Sequence, residues 1–199
     1  MDTKRCLTGI VFFLIVMAMV APALAGEPTQ QIKQTTDKIL SILSDPALKT
    51  PAKAEERKRL IGKVVDERFA WEEMSRRSLA RHWAQRTPDE KKEFIGLFRD
   101  LLERTYLDKV EGYSGEKVNY EGDSIDGDYG AVKVKILTST QREIPVEYRL
   151  LKKGNTWLVY DFSVEGISLI NNYRSQFNSI LTKSSYKDLI QKLKGKAIQ

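Results

Sequence analysis

The sequence has very few of the side chains that most catalytic and metal sites require. Its 199 residues include one cysteine, Cys6, and one histidine, His82. A zinc site takes three or four Cys, His or carboxylate ligands, and no second histidine is present to complete a typical one. A lone histidine between Arg81 and Trp83 is more often a surface or packing residue than a base. We therefore expect no catalytic residue, no metal site and no cofactor.

Long apolar runs are also scarce. The clearest one, Leu7 to Val20, follows two basic residues and precedes the small-residue sequence Ala23-Leu24-Ala25. These three parts make a secretory signal peptide, and the run is too short to be a convincing membrane-spanning helix. We predict a signal peptide over residues 1–25 and one exported domain over residues 26–199. Cleavage after Ala25 would remove the cysteine, so no disulfide is expected.

Positive charge is in surplus. The net charge is +6 at pH 7, and removal of the predicted signal peptide leaves about +5. In an exported protein a basic surface favours anionic lipid headgroups or acidic proteins over nucleic acid. The same surplus would also serve simply to keep the protein soluble.

Before residue 112 the apolar residues recur at helical spacing. We predict helices over 27–43, 53–69, 71–83 and 88–110. The last has the clearest start, because Thr87-Pro88-Asp89-Glu90 combines a capping box with proline at the first helical position. Its broad apolar stripe predicts a central buried helix.

From Lys117 the period changes to two, which predicts strands. Strands two and three each have one apolar face, formed by Val132, Val134 and Ile136 and by Ile144, Val146, Tyr148 and Leu150. The fourth strand is apolar on both faces, with Leu158, Tyr160, Phe162 and Val164 opposite Trp157 and Val159. A turn at Glu165-Gly166 leads into C-terminal helices over 168–196. Helices over 27–111, then a sheet over 112–165, then helices predict an α+β fold, a four-stranded antiparallel sheet packed against about six helices.

One carboxylate, Asp161, lies within the apolar fourth strand. Its neighbours Tyr160 and Phe162 would desolvate it, so an acid or base in a pocket is a legitimate hypothesis. The plainer hypothesis, several times more favoured, is that Asp161 pairs with an arginine or caps a turn.

Several motifs resemble one known family. Residues 157–169 read W-x-V-Y-D-F-x-V-E-G-I-S-L and are followed by N-Y-R-S-Q-F, while residues 69–79 read F-x-x-x-x-M-x-x-x-x-L. Together with the helix from Phe94 to Tyr106, these resemble the MlaC (toluene-tolerance) family of periplasmic phospholipid-binding proteins, with matched spacing over most of residues 60–185. One departure is Leu79-Ala80, where the family commonly has Leu-Gly. Because alanine is the better helix former, we expect a stiffer turn there and no loss of function.

The resemblance implies a hydrophobic cavity between the sheet and the helices that takes the acyl chains of a phospholipid. Two chains carry roughly 30 methylenes at about 0.8 kcal/mol each, so exposure to water would cost roughly 20 to 25 kcal/mol. The cavity is expected to approach the upper end of the usual range, on the order of 1,000 Å³. The predicted lipid-binding residues are Leu101, Leu102, Tyr106, Val110, Val132, Val134, Ile136, Val146, Tyr148, Leu150 and Ile167.

By the same resemblance, the chain is a non-enzymatic periplasmic carrier that shuttles phospholipid between the outer and inner membranes. Its expected partners are an outer-membrane lipoprotein and an inner-membrane ABC transporter with a lipid-handling periplasmic subunit, and not nucleic acid. Periodicity alone favours an ordinary filled core, as in a simple envelope interaction module. Two further alternatives are a hopanoid-associated relative and a small pocket enzyme using Asp161.

Overall fold

A computed structural model describes residues 26–113, 115–195 and 198, except for the side chains of residues 108 and 109. The predicted signal peptide, residues 1–25, lies outside this part of the chain and stays a prediction. The described helices are α1 (Glu27–Ser44), α2 (Ala54–Arg68), α3 (Trp71–Leu79), α4 (Pro88–Glu111), α5 (Leu169–Lys183) and α6 (Tyr186–Lys194). Short 3-10 helices occupy Pro51–Lys53 and Ala80–Gln85.

The strands form one antiparallel meander in chain order. They are β1 (Lys117–Asp126), β2 (Tyr129–Leu137), β3 (Glu143–Lys153), β4 (Thr156–Val164) and β5 (Ile167–Ser168). The sequence predicts four strands, and the two-residue β5 is the difference. Glu165 and Gly166 both have positive φ, +52° and +81°. This geometry closes a two-residue hairpin, so the chain pairs back onto β4 before α5 begins.

Helix α4 begins as its sequence predicts. The Glu90 backbone N–H donates to Thr87 Oγ1 at 3.2 Å, and the Thr87 backbone N–H donates to Glu90 Oε2 at 2.9 Å. These reciprocal bonds satisfy two of the donors that a helix start leaves free, which confirms the capping box. Phe94 and Phe98 of its first half are fully buried. The N-terminal half of α4 therefore belongs to the protein core.

Strand β4 contains one extra residue, Tyr160. Asp161 lies opposite Arg149 and Val159 lies opposite Leu150, so Tyr160 has no partner on β3. A bulge of this kind changes which face the following residues occupy. The prediction that Val159 lies on the face opposite Phe162 and Val164 is wrong, because strict alternation does not survive the bulge.

The apolar side chains form two separate clusters. The first joins α3, α4, α5 and α6. It includes Phe94 and Phe98 of α4 and Tyr173 and Phe177 of α5, whose paired rings lie 5.4–5.8 Å apart. The second lies between α1 and the sheet. Its buried members are Ile32, Val132, Val134, Val146, Leu150, Trp157 and Val159. The two clusters are distinct, and Phe69 packs against both of them.

The backbone is strained at Ala80, the position where the sequence departs from the family pattern. Ala80 does not extend the preceding helix. Ala80 follows the last residue of α3 with φ +48° and ψ −122°. This conformation suits glycine and costs an L-residue on the order of 1–3 kcal/mol. Helix propensity, the reason for expecting a stiffer turn, therefore does not apply to a residue in this conformation.

We expect Ala80→Gly to raise the free energy of unfolding by about 1 kcal/mol, because relief of the strained φ outweighs the added freedom of the unfolded chain. Urea unfolding followed by circular dichroism measures the change. Ala84→Gly, in the same 3-10 helix without a positive φ, is the matched control and should be slightly destabilising. Equal destabilisation by both substitutions would contradict the assignment of strain to Ala80.

Candidate functional site

Helices α1, α2 and α4, the first residue of α3 and the inner face of the sheet surround a cavity of about 550 Å³. The apolar residues that line it from the helices are Ile32, Ile39, Leu40, Leu43, Ile61, Val65, Trp71, Leu102, Tyr106, Leu107 and Val110. Those that line it from the sheet are Val118, Ile136, Ile144, Val146, Tyr148, Val159, Phe162 and Val164. Its volume lies within the usual range for small-molecule sites, and its surface is mostly hydrocarbon.

The cavity lies where helix and sheet diverge. Helix α1 covers the sheet near Val132 and Val134, close to Ile32. The first half of α4 packs on the other helices, and its second half, from Leu102 to Val110, lines the cavity. Members of both clusters, among them Leu102, Val146 and Val159, line the space between this second half of α4 and strands β2 to β4 without filling it. An apolar surface is thereby left on both sides of the gap.

An aromatic group centred on Phe162 connects the two sides. The Phe162 ring lies 6.0 Å from that of Tyr106 on α4, 6.3 Å from that of Tyr148 on β3 and 6.4 Å from that of Phe69. The Tyr106 and Phe69 rings meet Phe162 edge to face, which is a favoured aromatic geometry. These rings give that part of the cavity wall a fixed shape.

Burial raises the pKa of Tyr106 and of Tyr148 to about 12. Burial is the largest cause in both cases, because an ionised phenol loses its hydration. The exposed surface of Tyr148 faces the cavity, so it does not restore contact with bulk water. Both hydroxyls stay protonated at neutral pH and add no charge to the site.

The two threonines of α1 that line the cavity, Thr35 and Thr36, do not need a hydrogen-bond partner from a ligand. Thr35 Oγ1 donates to the Gln31 carbonyl at 3.0 Å, and Thr36 Oγ1 donates to the Ile32 carbonyl at 3.0 Å. A hydroxyl bonded to its own helix does not need a partner from the cavity. The polar atoms of this wall are therefore compatible with a hydrocarbon occupant.

Among the residues whose side chains the structure describes, Arg68 is the one cation that lines the cavity. Its Nε donates to Thr35 Oγ1 at 2.9 Å, and its Nη1 donates to Gln31 Oε1 and to the Trp157 carbonyl, both at 2.7 Å. Burial lowers the pKa of this guanidinium. The sequence pattern did not predict Arg68 as a lining residue, because α2 is rich in charged residues and nothing local distinguishes this arginine from its neighbours.

Ion pairs join α2 to α4 along one side of the cavity. Arg57 Nη2 lies 2.9 Å from Glu111 Oε1, and Arg99 Nη2 lies 2.8 Å from Asp66 Oδ2. The Arg57 and Glu111 side chains are largely buried, so their attraction is less screened than that of a surface pair. This side of the cavity is held by polar contacts as well as by packing.

The structure brings together part of the predicted lipid-binding set. The members that line the cavity are Leu102, Tyr106, Val110, Ile136, Val146 and Tyr148. They come from α4, β2 and β3, elements that are remote in sequence. Their placement around one cavity makes them candidates for ligand contact.

The remaining members do not line the cavity, and those placements are corrected. Val132, Val134 and Leu150 are buried in the cluster beneath α1, because that helix covers their end of the sheet. Leu101 is buried in the other cluster. Ile167 is 70% exposed at the hairpin between β4 and β5.

Helices α1 and α2 supply lining residues that the predicted set omitted. They include Ile39, Leu40, Leu43, Ile61 and Val65. Their apolar spacing is visible in the sequence and marks a buried face. The spacing could not show that this face lies against a cavity, because a helix packed on a solid core has the same pattern.

Asp161 does not line the cavity. It is 4% exposed, its Oδ2 accepts from Ser168 Oγ at 2.7 Å, and its Oδ1 accepts from the Ile170 backbone N–H at 3.0 Å. Ser168 in turn caps α5 by accepting from the Asn171 N–H at 3.1 Å. The plainer hypothesis is confirmed, since Asp161 holds the turn and the start of α5.

The structure also shows where His82 lies and whether side chains are grouped for metal binding. His82 Nε2 lies 3.2 Å from Asn178 Oδ1 at an exposed position. Within residues 26–113, 115–195 and 198, no three or more potential ligand side chains are grouped to hold a metal ion. None of the helices in that part of the chain combines the length and the apolar character needed to cross a membrane.

Comparison with known proteins gives consistent matches. The family model described as "MlaC protein" matches residues 33–195. The chain is 21% identical over 202 residues to the intermembrane phospholipid transport system binding protein MlaC of Haemophilus influenzae, covering 98% of this chain and 94% of that one. Its fold is similar to a Ralstonia solanacearum phospholipid-binding protein solved in complex with a phospholipid. That match has a TM-score of 0.76 at 24% identity and covers 85% of this chain and 96% of the other.

Proposed function

The chain belongs to the MlaC family, and from that premise we propose that it is a non-enzymatic phospholipid carrier. It binds lipid acyl chains in the cavity between the sheet and helices α1, α2 and α4. It shuttles phospholipid between the outer and inner membranes and so maintains outer-membrane lipid asymmetry. The names of two similar proteins, one for phospholipid transport and one solved with a phospholipid, support this proposal.

The observation on which the proposal chiefly rests is the apolar cavity of about 550 Å³. Each methylene moved from water into such a site is stabilised by about 0.8 kcal/mol, so a lipid tail gains far more than a polar ligand would. Tyr106 and Tyr148 are neutral, and Thr35 and Thr36 are bonded to their own helix. A lipid tail can therefore be buried in the cavity without leaving these hydroxyl groups short of hydrogen bonds.

The cavity has about half the volume expected for two acyl chains, on the order of 1,000 Å³. In this proposal it widens as the second chain enters.

The carrier works in the periplasm, after removal of residues 1–25. Its partners are an outer-membrane lipoprotein and an inner-membrane ABC transporter with a lipid-handling periplasmic subunit. The net positive charge of the chain suits contact with anionic headgroups or acidic partner surfaces. No cofactor takes part, and phospholipid is the ligand.

We expect organic extraction of the purified mature protein to release phospholipid at roughly one molecule per chain, because tail burial in the cavity resists loss to water. Mass spectrometry identifies and quantifies the extracted lipid. An exported protein of similar size, purified in the same buffers without detergent, controls for carry-over. Hopanoid in place of phospholipid would indicate a different lipid ligand, and an extract empty of lipid would contradict the carrier proposal.

A further inference from the structure

The cavity has one positively charged corner. Arg68 ends α2 and lies where α1 begins and β4 begins, bonded to Gln31 of α1 and to the Trp157 carbonyl of β4. The other charged lining residues are acidic, and one of these, Glu103, is paired with Arg99 at 2.9 Å. Among the described residues, no carboxylate forms an ion pair with Arg68. Glu67 attracts the Arg68 charge and opposes the lowering of its pKa, but it forms no ion pair with the guanidinium, which borders a hydrocarbon cavity.

The described contacts of Arg68 do not use all of its N–H donors. A guanidinium has five N–H groups, and the three bonds to Thr35, Gln31 and Trp157 use Nε and Nη1. The two N–H groups of Nη2 have no acceptor in the part of the chain that the structure describes. A partly buried cation with free donors is stabilised by a nearby anion, so this corner is suited to a negatively charged group.

The corner also reaches the protein surface. Gln31 Nε2 donates to the Asn155 carbonyl at 2.9 Å in an exposed position on the hairpin between β3 and β4. A group bound to Arg68 could keep part of its hydration on that side. The three bonds that Arg68 already makes hold its guanidinium in place, which reduces the ordering cost of binding.

We propose that Nη2 of Arg68 binds a phosphate oxygen of the bound phospholipid. The headgroup then lies at the corner formed by α1, α2 and β4, and the acyl chains extend along the cavity toward Val164 and Gly112. This assignment rests on the proposed carrier function and adds to it a headgroup position and a selectivity for phosphate-bearing lipids. Arginine suits this role because its planar fork matches phosphate geometry.

Two water-soluble ligands with identical chains test the assignment. Dioctanoylphosphatidic acid and dioctanoylglycerol differ only in the phosphate, and each competes with a fluorescent lipid for the delipidated protein. Wild type should bind the phosphatidic acid about tenfold or more tightly than the glycerol. Arg68→Gln should reduce this ratio toward one while the affinity for dioctanoylglycerol stays within about twofold. Arg59→Gln, on the exposed face of the same helix, is the matched control and should keep the wild-type ratio.

Several outcomes would overturn the assignment. They are an unchanged ratio in Arg68→Gln, an equal loss of affinity for both ligands as expected of a residue that only braces the wall, and displacement of the fluorescent lipid by inorganic phosphate alone. If Arg68→Gln does not fold, Arg68→Lys replaces it. Its shorter ammonium cannot reach the Nη2 position, so the ratio should still fall, and an unchanged ratio counts against the proposal. Absence of binding of either ligand to wild type would instead refute the carrier function.

Discussion

Val146→Glu is expected to lower the phospholipid that co-purifies with the protein from roughly one molecule per chain to about a tenth of that or less. Val146 lines the cavity, is 6% exposed, and lies opposite Val164, another lining residue. A carboxylate there would either remain charged beside acyl chains or be neutralised at a free-energy cost, and both oppose lipid binding. The charge would also interrupt the apolar cavity wall that Val146 of β3 and Val164 of β4 form together.

The matched control for this substitution is Ile125→Glu. Ile125 is in the same sheet, is 55% exposed near the hairpin between β1 and β2, and does not line the cavity. We expect wild-type lipid content in this variant, because its carboxylate stays in water. Both variants are purified in parallel, verified by circular dichroism, extracted and quantified by mass spectrometry.

A folded Val146→Glu protein that retains its lipid would remove this position from the binding site. If the variant does not fold, Ile144→Glu tests the same wall, since Ile144 lines the cavity near the start of β3 and is less deeply buried. Full lipid content in that variant would also argue against lipid contact with the wall formed by β3.

Asp161→Ala should lower the free energy of unfolding by about 3 to 5 kcal/mol. Hydrogen bonds to a charged group are worth about 1.5–3 kcal/mol each, and Asp161 accepts two, from Ser168 Oγ and the Ile170 N–H. The substitution also leaves the Ile170 N–H buried without an acceptor. Urea unfolding followed by circular dichroism or tryptophan fluorescence measures the loss.

Asp126→Ala provides the comparison for an exposed aspartate of the same sheet, and its effect should stay within about 0.5 kcal/mol. Asp161→Asn keeps the shape and one acceptor oxygen, so it should cost less than the alanine substitution. At a temperature where Asp161→Asn is folded, its lipid content should equal that of wild type. Loss of lipid from a folded Asp161→Asn protein would indicate a role at the cavity that the structure does not give this residue.

Features that depend on a few neighbouring residues could be predicted well from the sequence. The capping box at Thr87 and Glu90 forms as expected, because each partner is three residues from the other. The alternation in β2 and β3 correctly predicts their apolar face, since strand geometry imposes a period of two. Even here, the bulge at Tyr160 escaped prediction, because a bulge depends on pairing with a strand elsewhere in the chain.

Family membership was also accessible from the sequence, because short motifs with matched spacing persist where overall identity is low. The amino-acid sequence by itself thus determined the α+β class, the helix starts, the apolar faces and the resemblance. These properties follow from local backbone preferences and from side-chain periodicity.

Only the tertiary structure decided which apolar residues surround a cavity and which fill a core. Val134 and Val146 are equally apolar and face each other across β2 and β3, yet only Val146 lines the cavity. The difference comes from where α1 crosses the sheet, which no local pattern encodes. Arg68 shows the same limit, since one arginine among many on a charged helix borders the cavity only because α1 and β4 meet there. Whether space is filled or hollow depends on how whole elements pack, and the periodicity of each element is the same in both cases.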